Sequence, residues 1–297
     1  SSGAKTYFVS TKPGTFHVYC TADNAFWCCT GTGMENPERY NRFICREIDD
    51  ELYINLFIPS TVTTDDGWKI QIETLFPYSD SVTVKVIAAG TKPKTLKVRI
   101  PSWTGGSGYA DKGALYAGES LSFTLPMTLH TRKTRDRTGN FSVLYGPIAL
   151  AADLGKKGMP ASDTVNDQLV FQNYPSVPFS GFNKADPDHP EMWIHETDAS
   201  SLSFTTDVAV SDTGTSYTLK PFYTIHHEMY SLYFNTENTA DRSREARLDA
   251  VTIDSVEPGR QQSEIDHRIK ENNTLTGYNV HADRNFRATS GSNSFIT

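Results

Sequence analysis

Cysteine is scarce in this sequence: Cys20, Cys28, Cys29 and Cys45 are the only four in 297 residues, and all fall in the first 45 positions. So sparse a set excludes a disulfide scaffold in which bridges replace a core, although an even count still permits pairing. No apolar run approaches the roughly 20 residues that a bilayer-spanning helix needs, so no membrane insertion is expected. No Lys/Arg cluster relieves a formal net charge of −7. Nucleic acids and anionic membrane surfaces both select a basic patch, so neither is an expected partner. Internal repeats, low-complexity tracts and a signal peptide are also missing. The chain opens SSGAKTYFVSTKPGTF, without an initiator Met, and enters strand-like sequence at once. We expect a piece of a longer protein, in which the lack of a targeting signal says nothing about compartment.

What remains is a foldable chain. Hydrophobic residues make up 37% and aromatics 11%, and the length is enough for two domains. An acidic, aromatic-containing surface suits neutral ligands such as sugars, among others.

Residues 1–27 read as short strands separated by turns at Pro13-Gly14 and Asp23-Asn24. The spacing of Tyr40, Ile44 and Ile48 predicts a helix over 34–48 with one apolar face. Thr32 or Gly33 would begin it, with Glu35 in the first turn and Pro37 tolerated only there, and Asp49-Asp50 would end it. From residue 51 the pattern becomes β. WKIQIETLF, SVTVKVIAA and TLKVRIPSW are short alternating runs divided by Asp-Gly, Pro-Tyr-Ser-Asp and Gly-Thr-Lys-Pro. Such runs predict a mainly antiparallel β-sandwich over 51–155. A Pro-, Asp- and Gly-rich stretch at 156–199 reads as a linker with one or two strands. A second β-rich domain, expected to be truncated, occupies 200–297, with a polar, helix-compatible run at 260–274.

The stretch AFWCCTGTGMENPERYN, residues 25–41, places two thiols side by side before that helix. A thiolate is both a nucleophile and a zinc ligand, and it forms more readily near a helix N-terminus. The glycines of Thr30-Gly31-Thr32-Gly33 would let backbone amides face the sulfurs. If the backbone kinks between them, Cys28 and Cys29 could both reach one Zn²⁺ at about 2.3 Å. A strained vicinal disulfide and ordinary buried thiols are the other readings. Two thiolates make only half of a four-ligand zinc shell.

This motif, with YFVSTKPGTF before it and LYINLFIPSTV, LKVRIPSW, VLYGPIALAADLG and LKPFYTIHHEMYSLYF after it, closely resembles the bacterial β-L-arabinofuranosidases of glycoside hydrolase families 127 and 146. The resemblance covers nearly the whole chain, and Cys-Cys-Thr-Gly-Thr-Gly is specific. It implies tandem antiparallel β-sandwich domains after an (α/α)₆ barrel, of which residues 1–50 hold one terminal helix and the rest is absent. Cys28 is implied as the nucleophile, forming a thioglycosyl intermediate with retention of configuration. Cys29 is implied as a zinc ligand, with Cys28 also touching the metal. The other zinc ligands and the general acid/base are expected upstream, so the chain alone is expected to be inactive. The substrate class is an arabinofuranose-containing plant glycan, in a periplasmic or secreted bacterial enzyme. Zinc on the sulfur would make a stable thioglycoside easier to cleave. The rival reading is a non-catalytic carbohydrate-binding or structural β-sandwich module with incidental cysteines.

Other candidates read as structural. Cys20 and Cys45 suit small buried thiols, and Glu35 and Glu38 commonly complement a helix dipole. Adjacent strand residues face opposite sides, so His226 and His227 of His226-His227-Glu228 would not share a metal. Trp103 and Trp193 fit core or interface positions better than sugar platforms. The Asn-Asn-Thr at 272–274 matches a glycosylation sequon, which carries no weight in a bacterial protein.

Overall fold

A computed structural model describes residues 6, 9–21, 28–135, 139–164, 181–211 and 213–236, without the side chains of residues 28–30, 32 and 34. The polar run at 260–274 therefore lies outside the described residues. The architecture is mainly β with one long helix, as the resemblance implied.

Helix α1 spans Cys28–Ile44, so it starts at the cysteine pair and stops before the expected end at residue 48. Thr30-Gly31-Thr32-Gly33 is its first stretch, not a turn before it. A Cβ at Gly31 or Gly33 would meet nothing within 4 Å, so neither glycine is there for space. Each instead weakens the helix by about 1 kcal/mol relative to Ala. Glu35 is consequently not in the first turn, and Pro37 lies inside the helix, where it removes a backbone donor. The expected apolar face is only partly used: Ile44 is buried, while Tyr40 and Ile48 are exposed. Ile48 belongs instead to strand β2 (Cys45–Ile48), which pairs with β3 (Glu51–Ile54). Asp49-Asp50 is the hairpin turn between them, with Asp49 at φ 50°, the left-handed conformation that two-residue hairpin turns favour.

Six further strands complete the first unit: β4 (Ser60–Thr63), β5 (Lys69–Thr74), β6 (Ser81–Ala88), β7 (Thr95–Arg99), β8 (Tyr109–Ala114) and β9 (Ser120–Thr124). They form two four-stranded sheets, β2-β3-β7-β8 and β4-β5-β6-β9. All pairings are antiparallel except β3 with β7. Alternate residues point inward, so Leu52, Ile54, Leu96 and Val98 of one sheet meet Ile70, Ile72, Val82 and Val84 of the other. That shared core makes the unit a sandwich.

The second unit contains β10 (Leu129–Lys133), β11 (Asn140–Tyr145), β12 (Ile148–Gly155), β13 (Ile194–Asp198), β14 (Ser203–Thr206), β15 (Thr218–Pro221), β16 (Met229–Ser231) and β17 (Phe234–Asn235). With β1 (Thr15–Phe16) these form one branched nine-stranded sheet. β12 is its hub, pairing with β11, β15 and β16. The apolar faces of its arms enclose Phe141, Leu150, Phe182, Trp193, Phe204 and Phe234.

These pairings differ from the expected division in three ways. Residues 129–155 join the second unit, because β11 and β12 find their partners near 218–235. Residues 1–50 are not one body: β1 pairs with β16, whereas β2 belongs to the first sandwich. The stretch expected as a linker with one or two strands does supply β13, but it also buries Phe182, Pro190 and Trp193. Among the described residues no helix is long and apolar enough to cross a membrane.

Candidate functional site

Cys28 and Cys29 are the first two residues of α1. The first amide groups of a helix have no partner within it and carry the positive end of its dipole, which favours a thiolate there. Their side chains lie outside the described part of the structure. Among the described residues no group of three or more His, Cys, Asp or Glu is placed to hold a metal ion.

Of the other two cysteines, one is buried and one half-buried. Cys20 is fully buried. Cys45 follows the last residue of the 17-residue helix, about 25 Å from its start at 1.5 Å per residue. Burial, helped by the nearby Glu47 charge, pushes its thiol up to about 12, so it stays protonated near neutral pH. Glu35 pairs with Arg39 at 3.2 Å on the exposed face of the helix, an arrangement of small energetic consequence, and Glu38 is exposed. Trp193 is a core residue whose Nε1 donates to the Asp186 carbonyl at 2.9 Å. Trp103 stacks on Phe76 with ring centroids 6.2 Å apart, beside the Arg99 guanidinium.

His226-His227-Glu228 is not in a strand. It forms a loop between the turn at Phe222–Thr224 and β16, with His227 at φ 57°. The loop meets the segment that leads towards the cysteine pair. The Nδ1 of His17 lies 3.1 Å from the Ile225 carbonyl, and Tyr19 Oη lies 2.9 Å from His226 Nδ1. His227 Nδ1 lies 2.6 Å from Asp163 Oδ2. The backbone follows the same route, since the Tyr19 amide donates to the Asp163 carbonyl at 2.8 Å. His17 packs against Phe222 and Tyr230 at centroid distances of 5.2 and 4.9 Å.

Burial lowers the pKa of His17, against the opposing effect of its bond to Ile225. Burial, with the Asp163 charge, raises that of Tyr19. The cluster thus holds a neutral imidazole inside and presents His226 and His227 outward. Each Nδ1 is engaged by a different group, and among the described residues no three His, Cys, Asp or Glu are placed to hold one ion. His17, Tyr19 and Asp163 carried no signal in the sequence; the pairing of β1 with β16 and the bridge of Tyr19 with Thr164 bring them to the loop.

The two β units coincide with two sequence families. Residues 51–124, from the first residue of β3 to the last of β9, match the GH127 middle domain of beta-L-arabinofuranosidase. The sandwich is thus similar to a GH127 middle domain. Residues 130–236 match a domain of unknown function and residues 247–296 a family of unknown function. The division between the first two falls where the sheets divide, after β9.

Two solved structures share the fold. One, described as a glycoside hydrolase, is 14% identical with a TM-score of 0.51, covering 73% of this chain and 41% of its own. The other, described as a GH127 beta-arabinofuranosidase, is also 14% identical with a TM-score of 0.51, covering 78% of this chain and 42% of its own. The chain therefore spans about two fifths of the length of either structure. No curated protein sequence matches it.

Proposed function

We propose that this chain is part of a retaining glycoside hydrolase that releases β-L-arabinofuranose from plant glycans, with Cys28 as nucleophile. One observation carries the reading: a sandwich that matches the GH127 middle domain follows directly on a helix that opens with Cys28-Cys29. Most glycosidases use two carboxylates; here the nucleophile is sulfur. The Cys28 thiolate attacks the anomeric carbon. A C–S bond forms as the glycosidic C–O bond breaks, and the departing oxygen takes a proton from a general acid. Water then attacks the same carbon, the C–S bond breaks, and the water proton returns to that general acid. Two inversions retain configuration. The helix N-terminus favours the thiolate at both ends of this cycle.

Cys28 and Cys29 fit zinc in the kind of donor they offer, soft thiolates at the positive end of a helix. A zinc ion held by both would supply charge that keeps the Cys28 sulfur deprotonated. In this reading the remaining zinc donors and the general acid/base lie outside this chain, which by itself is inactive. The working compartment is the periplasm or the exterior of a bacterium.

Hydrolysis of an aryl β-L-arabinofuranoside by the full-length protein, followed by proton NMR, tests the mechanism. The first sugar released is expected to be the β anomer. Initial release of the α anomer would exclude a covalent cysteine intermediate, and no hydrolysis at all would favour a non-catalytic module.

A further inference from the structure

An open cleft of about 560 Å³ lies beside the histidine loop, lined by Tyr78, the serines at 200, 201 and 203, Lys220, Thr224, His226 and Glu228. Its size is within the range of small-molecule sites. We infer that this cleft binds a neutral oligosaccharide. The inference rests on the glycan-acting reading above and adds a binding site to it.

The walls are prearranged. The β13–β14 hairpin supplies the serines. Leu202, at its tip, is buried and pins the loop to the core. Asp198 accepts hydrogen bonds from the Ser200 amide at 2.9 Å and from the Ser200 and Ser201 hydroxyls at 2.6 Å. On the opposite wall the Thr224 hydroxyl donates to the Pro221 carbonyl at 2.8 Å, which leaves its oxygen able to accept. Tyr78 comes from the first sandwich, and its hydroxyl accepts from Tyr223 of the second unit at 3.0 Å. Both tyrosine rings are about half exposed. An exposed, fixed aromatic ring beside hydroxyls suits a sugar, which has an apolar C–H face and a polar rim.

Charge selects the class of ligand. The Lys220 ammonium is paired with Asp153 at 2.5 Å, and Glu228 adds a second negative charge near it. Lys220, Asp153 and Glu228 together carry one positive charge against two negative. A phosphate, sulfate or uronate would meet excess negative charge. A neutral sugar brings hydroxyl donors for Glu228 and for the Ser200, Ser201 and Thr224 oxygens, whose own protons are already donated within the protein.

Calorimetric titration of the 297-residue chain with neutral arabino-oligosaccharides tests this, with oligogalacturonate as the anionic comparison. The wild type is expected to bind the neutral sugars. Tyr78→Ala and the near-isosteric Glu228→Gln are each expected to weaken binding tenfold or more at unchanged thermal stability, and Cys28→Ala to leave it unchanged. Oligogalacturonate is expected to bind at least tenfold more weakly. Failure of the neutral sugars to bind, equal affinity in Glu228→Gln, or preference for oligogalacturonate would overturn the inference. Binding lost only in Cys28→Ala would place the sugar at the nucleophile, overturning the cleft while leaving the proposed activity intact. Binding through the cleft in a full-length protein that hydrolyses no arabinofuranoside would do the reverse.

Discussion

The Nδ1 of His17 lies 3.1 Å from the carbonyl oxygen of Ile225, a contact across 208 residues of sequence. A carbonyl only accepts, so Nδ1 carries the proton. This bond fastens the segment that runs towards Cys28 onto the loop that carries His226 and Glu228. His17 and the loop beside the cleft are thereby anchored to one sheet, since β1 pairs with β16.

His17 should make stability depend on pH. Its pKa in the folded chain is held below the ordinary 6.5 by burial. Above 6.5 the ring is neutral folded or unfolded, and stability is unaffected. Below 6.5 the unfolded chain takes up a proton that the folded chain resists, so stability is lost as the pH falls. Thermal unfolding between roughly pH 7 and pH 5 should therefore show a falling midpoint. His17→Asn, which keeps a donor near the Nδ1 position, should flatten that slope. An unchanged slope would show that other groups govern it.

Asp163 should matter for stability although it is polar. Its side chain is only 11% exposed and accepts from His227, which stands in a left-handed backbone conformation. Asp163→Ala leaves the His227 Nδ1 without this acceptor, while the backbone bond to Tyr19 remains. We expect a loss of about 0.5–1.5 kcal/mol, read by urea unfolding. A variant as stable as the wild type would mean that the loop is held by its backbone alone.

Gly90 is fixed by a close approach. A Cβ there would stand 2.4 Å from Cδ1 of Trp68 and 2.8 Å from the Asp66 carbonyl oxygen. Trp68 has no room to retreat, since it is buried and its Nε1 donates to the Lys92 carbonyl at 2.9 Å. Gly90→Ala should cost about 1–3 kcal/mol by overpacking, with tryptophan fluorescence reporting the displaced indole. Unaltered stability and fluorescence would contradict this packing.

How far the sequence alone reaches depends on the element. β5 and β6 were readable because they bury every second residue, as in Ile70-Ile72 and Val82-Val84-Val86. β8, YADKGA, was missed because it buries almost nothing and so has no period. The start of α1 was misplaced because Gly31 and Gly33 resemble a turn, and glycine's local preference was overridden. The break between units was placed at 155 because nothing local shows that β11 and β12 pair with the late strands β15, β16 and β17. Cys28 and Cys29 stood out through their motif, whereas His17, Tyr19 and Asp163 have partners far along the chain and no pattern to find.

Zinc content tests the proposed metal. The isolated chain supplies two thiolates, and structural sites reach about 10–16 kcal/mol only with a full ligand set. It should therefore purify with substoichiometric zinc, and the full-length protein with about one ion per chain. Cys29→Ser should lower that occupancy, because a hydroxyl does not ionise near neutral pH. Full zinc in the isolated chain would mean that this chain completes the shell itself. No zinc in the full-length protein would remove the metal from the mechanism.

The most direct test of the account is the turnover of an aryl β-L-arabinofuranoside by full-length protein carrying Cys28→Ala. Loss of one thiol at a helix terminus should leave the fold intact, as circular dichroism would show. Without its nucleophile the variant should have no measurable turnover, a loss of many orders of magnitude. Turnover within about tenfold of wild type, a barrier change of only about 1.4 kcal/mol, would contradict the assignment of Cys28.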